Sequence, residues 1–293
     1  MFVVESLLSQ KEIKVLFMNL AVLGSLLLTG ITGWYQIISN ENHGNLKVSF
    51  LDVGQGDAIF IEAPNKMQLI IDTGANGKIL ESLKSEISFF DQTLDAIILT
   101  HPDLDHIGGT IDLFNNYDIP ILITATSTKQ TDATVEIDSI QVERREVKEG
   151  DIVMIDSEKN IYLEILHPEI DYISPDSNDQ SIVAKLIYGQ TCFMLMGDAS
   201  KEVEMKIVKK YSDKIKCDVL KVGHHGSHTS SEEKFIGLVS PKYAIISAGK
   251  DNKFGHPHKE VLDILSKFGP EILNTADIGN ITFWSDGETV ILN

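Results

Sequence analysis

The stretch Thr100-His101-Pro102-Asp103-Leu104-Asp105-His106 follows directly on the apolar run Leu94 to Leu99 and places four metal-ligating side chains, His101, Asp103, Asp105 and His106, within six residues. Side chains two apart on extended backbone point to one side, so His101, Asp103 and Asp105 are expected to face one cavity, with His106 swinging round at the start of a helix. Two imidazoles and two carboxylates suit Zn²⁺, Mn²⁺ or Fe²⁺ better than Ca²⁺ or Cu⁺. An aspartate ahead of a helix also serves as its cap. Alone, the cluster reads either as a metal site or as a capped turn.

Further ligand types stand at the ends of other apolar runs. Asp72 closes Leu69-Ile70-Ile71, Asp198 closes Phe193-Met194-Leu195-Met196-Gly197, and His224 and His225 close Val219-Leu220-Lys221-Val222-Gly223. Each by itself is an ordinary turn residue. Several strand ends carrying Asp or His are how a rigid scaffold delivers ligands from separate loops to one place, with Asp198 available to bridge two metals.

The elements that must position these residues can be read from the hydrophobic pattern. Leu46 to Val53, Ala58 to Glu62 and Gln68 to Ile71 predict an antiparallel meander. A helix over Lys78 to Ile87, a strand over Leu94 to Leu99 and a helix over Gly108 to Asn115 follow, then strands over 120–124, 151–155, 161–166, 182–187 and 191–196. The second half alternates helix and strand through 201–210, 219–222, 232–239, 243–246 and 258–268, before short strands that end at Leu292. Residues 126–150 give no clear pattern. Strands and helices interleaved in both halves predict a layered α/β or α+β domain over 45–293.

The N-terminus differs in kind. From Val15 to Asn40 there is no charged residue, and Leu16 to Ile38 is long and apolar enough for a bilayer. A flank over 1–14 and a single transmembrane anchor over 15–38 are expected, with Trp34 and Tyr35 as interfacial anchors; a cleaved signal peptide is the alternative. Lys11 and Lys14 before the span, diluted by Glu5 and Glu12, favour the large domain outside the cytoplasm. The chain as a whole is acidic, 43 Asp and Glu against 25 Lys and Arg, a formal charge of −18 that disfavours non-specific nucleic-acid binding. The two cysteines, Cys192 and Cys217, have no metal-ligand spacing and read as buried or inert thiols.

The chain resembles the metallo-β-lactamase superfamily and, within it, the soluble hydrolase-like domain of the ComEC family of DNA-uptake competence proteins. The matching blocks are Leu51-Asp52-Val53-Gly54-Gln55-Gly56-Asp57-Ala58, Ile71-Asp72-Thr73-Gly74, Thr100 to Gly109, Asn178-Asp179-Gln180-Ser181, Met196-Gly197-Asp198, Leu220 to Ser227 and Gly255-His256-Pro257-His258. They imply a four-layer αββα sandwich with the metal site at one edge of two sheets. The superfamily's H-x-H-x-D-H motif falls on His101, Asp103, Asp105 and His106, with aspartate at its second position, which shifts preference toward harder ions such as Mn²⁺. The resemblance makes Asp179 the next ligand, with His167 the alternative. It makes Asp198 the bridging carboxylate and one of His224 or His225 the last ligand. The Gly54-Gln55-Gly56-Asp57 loop reads as a tight turn that the resemblance sets beside the site.

The expected chemistry is hydrolysis with two divalent ions, Zn or Mn, lowering the pKa of a shared water. Asp105 is a catalytic candidate as well as a ligand, and Asp72 would orient a ligand from behind. His256 and His258 would bind a phosphate or protonate a leaving group, although His258 also reads as the start of a helix, and Ser227 would cradle a phosphate oxygen. The expected activity is cleavage of phosphodiesters, single-stranded DNA among them, at the cell membrane. The alternatives are a phosphodiesterase acting on small or envelope phosphorylated substrates, which the charge favours, and a non-catalytic competence accessory domain. A single span is not the multi-span channel of full ComEC proteins, and the sequence names no protein partner.

Overall fold

The computed structural model describes residues 10–39, 44–88, 90–126 and 129–293. The first unit contains helix α1 (Gln10–Ser39), whose stretch Lys14–Thr32 is long and apolar enough to cross a membrane, a test that a signal sequence also passes. Three of its hydroxyls bond back to the helix: Ser25 Oγ donates to the Val22 carbonyl at 2.8 Å, Thr29 Oγ1 to Ser25 at 3.0 Å and Thr32 Oγ1 to Leu28 at 2.9 Å. Glu5 and the side chains of Lys11, Glu12, Trp34 and Tyr35 lie outside the described residues.

The second unit, Gly44–Asn293, is a sandwich of two sheets. One sheet has eight strands: β1 (Leu46–Phe50), β2 (Ile59–Glu62), β3 (Gln68–Ile71), β4 (Ala96–Leu99), β5 (Ile121–Thr124), β6 (Glu143–Glu146), β14 (Ile281–Ser285) and β15 (Val290–Leu292), in the order β15-β14-β1-β2-β3-β4-β5-β6. The other has seven: β7 (Ile152–Asp156), β8 (Ile161–His167), β9 (Val183–Tyr188), β10 (Thr191–Leu195), β11 (Val219–Lys221), β12 (Tyr243–Ile246) and β13 (Glu271–Asn274), in the order β13-β12-β11-β10-β9-β8-β7. Helices α2 (Lys78–Leu83), α3 (Leu104–Ile107), α4 (Thr110–Asn116) and α5 (Asp132–Asp138) cover the first sheet. Helices α6 (Lys201–Tyr211), α7 (Glu233–Val239) and α8 (Lys259–Phe268) cover the second, and α9 (Thr275–Ile278) is a single turn after β13.

This is the four-layer αββα architecture expected from the sequence. One apolar layer, including Phe50, Phe193, Ile245 and Phe283, fills the space between the sheets, and two more lie between each sheet and its helices. Covered on both faces, β3, β4 and β12 are buried along their whole length, which is why their sequences are apolar without alternation.

Three local readings change. The helix expected over Gly108 to Asn115 is α4, starting at Thr110, and a separate short helix, α3, precedes Gly108-Gly109, where a Cβ on Gly109 would lie 2.4 Å from the Thr73 carbonyl oxygen. The unpatterned stretch 126–150 contains α5 and β6; the latter, Glu143-Arg144-Arg145-Glu146, is an exposed charged edge strand formed by pairing with β5. Cys192 and Cys217, expected as thiols, form a disulfide with their Cα atoms 5.1 Å apart. The sequence separation of 25 conceals that β10 and β11 are parallel neighbours, with Phe193 opposite Val219, which sets the two cysteines side by side at the strand starts.

Candidate metal centre

The strand ends deliver their ligand types to one edge of the sandwich from both sheets. Asp72 directly follows β3 and His101 stands two residues beyond β4, with α3 carrying Asp105 and His106. Asp198 stands three residues beyond β10, and β11 runs into the His224-His225 turn. Asp72, His224 and His225 all have positive φ, at 59°, 48° and 55°. Backbone held there in non-glycine residues is strained and persists where the surroundings fix it.

Asp198, 3 % exposed, is the centre. Its Oδ1 lies 3.2 Å from His106 Nε2; its Oδ2 lies 3.3 Å from His225 Nε2, 3.7 Å from His224 Nε2 and 4.0 Å from His101 Nε2. The other nitrogen of each ring decides what these four Nε2 atoms can do. His106 Nδ1 sits 2.7 Å from the Asp72 carboxylate and can only donate to it. His225 Nδ1 likewise donates to the Ser247 carbonyl at 2.9 Å. Thr100 Oγ1 spends its proton on Asp72 at 2.7 Å, so at 3.1 Å it accepts from His101 Nδ1. Thr229 Oγ1 donates to Ser227 Oγ at 3.0 Å and therefore accepts from His224 Nδ1 at 3.0 Å. In their neutral forms, rings anchored through four Nδ1–H groups turn four Nε2 atoms as acceptors toward one carboxylate, an arrangement that orients imidazoles for a metal.

The electrostatics point the same way. Burial alone would lower the pKa of His106 and His225, but Asp198 with Asp72 or Asp57 raises both well above the ordinary value. Burial would raise the pKa of Asp198 and of Asp105, yet the same two histidines hold both carboxylates low. The pocket favours positive charge at its middle, which a divalent cation supplies. Burial and neighbouring His106 push His101 down to about 3, keeping its ring neutral. Nε2 of His101 and Oδ1 of Asp198 are buried without a hydrogen-bond partner. Imidazole nitrogens mixed with carboxylate oxygens suit Zn²⁺ or Mn²⁺, so the residues present fit the group.

The remaining candidates fall around this centre in different ways. Asp105 Oδ2 is 3.4 Å from His225 Nε2 and belongs to it. Asp103 Oδ1 instead receives Lys129 Nζ and Ser177 Oγ, each at 2.6 Å, and makes no hydrogen bond or ion pair to Asp198 or the histidines. Asp179 Oδ2 accepts from Ser174 at 3.2 Å, and its carbonyl from His167 Nε2 at 2.7 Å, so neither Asp179 nor His167 is joined to the cluster. Ser227 is 3 % exposed and acts through Thr229 on His224. His256 packs its ring 5.7 Å from that of His224 and 6.2 Å from that of His225; burial and then those two histidines lower it to about 4. His258 is one ring farther out, 4.9 Å from His256, and is the N-cap residue of α8, without a side-chain capping bond.

Asp57 is the residue that sequence reasoning passed over. With His106, Asp198 and His225 it forms a buried group whose ligand atoms lie within 4.8 Å of one another. Its Oδ1 is 3.2 Å from His225 Nδ1, the anchored side of the ring, and its Oδ2 is 2.7 Å from Lys221 Nζ. Asp57 therefore stands behind His225 much as Asp72 stands behind His106. Gly56 makes this possible: a Cβ there would lie 2.0 Å from the Asp105 carbonyl oxygen. The Gly-Gln-Gly-Asp spelling was the available signal, read as a turn beside the site with no role given to Asp57.

Comparison with known proteins agrees with the fold. A family model described as metallo-beta-lactamase superfamily matches residues 51–250. ComE operon protein 3 of Bacillus subtilis (strain 168) is 34% identical over 273 residues, covering 85% of this chain and 34% of the relative. Competence protein ComA of Neisseria gonorrhoeae is 28% identical over 265 residues, covering 88% and 35%. The chain thus spans about a third of the length of these curated relatives. Among solved structures, the metallo-beta-lactamase fold protein YhfI from Bacillus subtilis superposes with a TM-score of 0.53 at 12% identity, over 83% of this chain and 100% of that one.

Proposed function

Because the chain belongs to the metallo-β-lactamase superfamily, with competence proteins among its relatives, we propose that it is a membrane-anchored, metal-dependent phosphodiesterase of nuclease type. The observation that carries this reading is the convergence of four anchored imidazoles on Asp198. In the proposed site His106, His225 and Asp105 would hold a divalent ion, with His101, His224 and Asp198 available to hold a second. Asp103 and Asp179, expected as ligands, would complete the second position only from a rearranged turn. Bound divalent ions would supply Lewis acidity and lower the pKa of a coordinated water.

The chain's own residues do the rest. Asp72 and Asp57 fix the ring orientations of His106 and His225 through their outer nitrogens. His256, neutral by its surroundings, offers a hydrogen bond to a phosphate or leaving-group oxygen at the rim rather than a full charge. His258, whose Nδ1 accepts from the His228 backbone N–H at 3.0 Å, supports that rim from outside.

Two features support an anchored domain outside the cytoplasm: Ser25, Thr29 and Thr32 of α1 bond their hydroxyls back to the helix, as suits lipid, and Cys192–Cys217 is paired, as oxidising compartments favour. The net charge of −18 favours a second reading, a small phosphorylated substrate. The test is hydrolysis by the full chain in detergent with Mn²⁺ or Zn²⁺ of single-stranded DNA, double-stranded DNA and bis-p-nitrophenyl phosphate, beside Asp105→Ala and His106→Ala. Turnover of the small diester alone would replace the nuclease reading with the second one. Bound metal without any hydrolysis would leave an accessory domain.

A further inference from the structure

The strands β10, β11, β12 and β13 run parallel with their starts in register, Phe193 beside Val219, Val219 beside Tyr243 and Tyr243 beside Glu271. Asp198 and the His224-His225 turn lie beyond the far ends of β10 and β11, so the segments that precede these strands lie at the end of the sandwich opposite the metal centre. Lys214 and Lys216 precede β11, Lys242 precedes β12 and Phe268 precedes β13, and all four are exposed. Lys209, also exposed, sits in the last turn of α6. The chain enters the domain at this same end. Leu46, the first residue of β1, is in register with Ser285, and Ser285 Oγ lies 2.6 Å from Oγ1 of Thr191, the first residue of β10.

The charge there is opposite to that of the chain as a whole. Residues 201–216 hold six of the chain's 25 Lys and Arg but three of its 43 Asp and Glu. Of those acids Glu202 pairs with Lys206 at 3.2 Å, Glu204 is buried and Asp213 is exposed. Lys210 pairs with Glu149 at 2.6 Å, but among the described residues Lys209, Lys214, Lys216 and Lys234 make no ion pair. Between α6 and α7, Met205, Val208 and Leu238 line an open groove of about 690 Å³ together with Lys206, Lys209 and Lys234. Phe268, 41% exposed, lies against α7, where a Cβ on Gly237 would come within 2.9 Å of its ring.

We propose that this basic end is a docking surface for an anionic membrane, which stands the tethered domain with its metal centre turned away from the bilayer. The proposal rests on the membrane-anchored reading given above. A formal charge of −18 repels the domain from anionic headgroups, so a locally basic end is the part that can approach them. Lysine stems laid over apolar side chains, with the ammonium groups left solvated, suit the headgroup layer, as does an aromatic ring at the rim. The entry of the chain at Leu46 brings the membrane to this end. The attraction fades within about 8 Å at physiological salt, so it acts by contact. A polyanionic substrate held here would be a strand's length away from the metal centre.

The test is lysine footprinting of the full chain reconstituted in vesicles of phosphatidylcholine, or of equal parts phosphatidylcholine and phosphatidylglycerol, with a membrane-impermeant acetylating reagent read by mass spectrometry. Lys250 and Lys253, exposed on the loop between β12 and α8, are the internal reference. Relative to them, Lys209, Lys214, Lys216 and Lys234 should react at least fivefold more slowly on the anionic vesicles, and high salt should remove the difference. Each lysine near such a surface strengthens the attraction about fivefold. Lys214→Gln with Lys216→Gln should therefore weaken it about 25-fold and return Lys209 and Lys234 to their reactivity on phosphatidylcholine. Equal reactivity on both vesicles, or protection indifferent to salt and to the double variant, would overturn the docking surface. Protection by an added oligonucleotide on phosphatidylcholine vesicles would assign the surface to nucleic acid and overturn it as well. A chain that washes off phosphatidylcholine vesicles but is held and protected by the anionic ones would instead overturn the anchor and leave the docking surface standing.

Discussion

Lys221, with none of its side chain exposed, places Nζ 2.7 Å from Oδ2 of Asp57, itself 2 % exposed, so that an ion pair between β11 of one sheet and the loop ahead of β2 of the other is sealed behind the metal centre. A buried pair of this kind adds little net stability over apolar residues, but removing one partner strands the other charge. Lys221→Met should therefore destabilise the domain by about 3–5 kcal/mol. The paired change Lys221→Met with Asp57→Asn should recover most of that loss. Thermal unfolding of the three proteins measures it, and equal instability of single and double variants would refute the assignment.

Asp72 holds His106 through Nδ1 and takes two more hydrogen bonds from Thr100. Replacing it by alanine frees the ring to rotate and lets Nε2 carry the proton. Asp72→Ala should lower divalent-metal affinity about 10–100-fold, read by calorimetric titration of Mn²⁺ or Zn²⁺.

His224 and His225 are neighbours in sequence, yet their places differ. His225 is fully enclosed and lies near both Asp105 and Asp198, whereas His224 is partly open and faces Asp198 alone. His225→Ala should cost more bound metal than His224→Ala, as elemental analysis of the purified proteins would show. The reverse order would exchange their proposed roles.

Glu204 in α6 bears on pH. Its two carboxylate oxygens accept from the Ser231 N–H at 2.8 Å and the Glu232 N–H at 2.6 Å, tying the end of the histidine loop to the helix. Burial pushes its pKa up to about 8 despite those bonds. Between the ordinary carboxylate pKa and 8 the folded chain binds more protons than the unfolded one, so stability falls as pH rises through that window. Glu204→Gln removes the titration and leaves one N–H without its acceptor. It should be less stable than the parent at pH 5 and more stable at pH 8.5. Parallel melting curves across that range would contradict the assignment.

The Cys192–Cys217 bond closes a loop of 25 residues. By chain entropy such a closure is worth about 3 kcal/mol. Cys192→Ser with Cys217→Ser should lower the melting temperature accordingly without changing metal content.

The centre was legible in the sequence where its residues are contiguous or end apolar runs: His101 to His106, Asp72, Asp198 and the His224-His225 pair all read as ligand types, and their strands fixed the layered fold. What stayed hidden depends on contacts between distant segments. The choice between His224 and His225 needed the direction of two rings, which Ser247 and Thr229 set. Asp57 acquired its meaning from Lys221, 164 positions away on the other sheet. The cysteine pairing needed the parallel register of β10 and β11, and β6 needed a neighbour, since Glu143 to Glu146 alone resembles solvent-exposed loop.

Because the ligands come from the edges of both sheets, the centre exists only while the sandwich is closed. An ion that binds there and not to the open chain raises folding stability by RT ln(1 + [ion]/Kd), about 2.7 kcal/mol at a hundredfold excess over Kd. Metal supply would then set how much of the protein survives heat or proteolysis, and a melting curve against free metal would report the affinity of the site before any substrate is known.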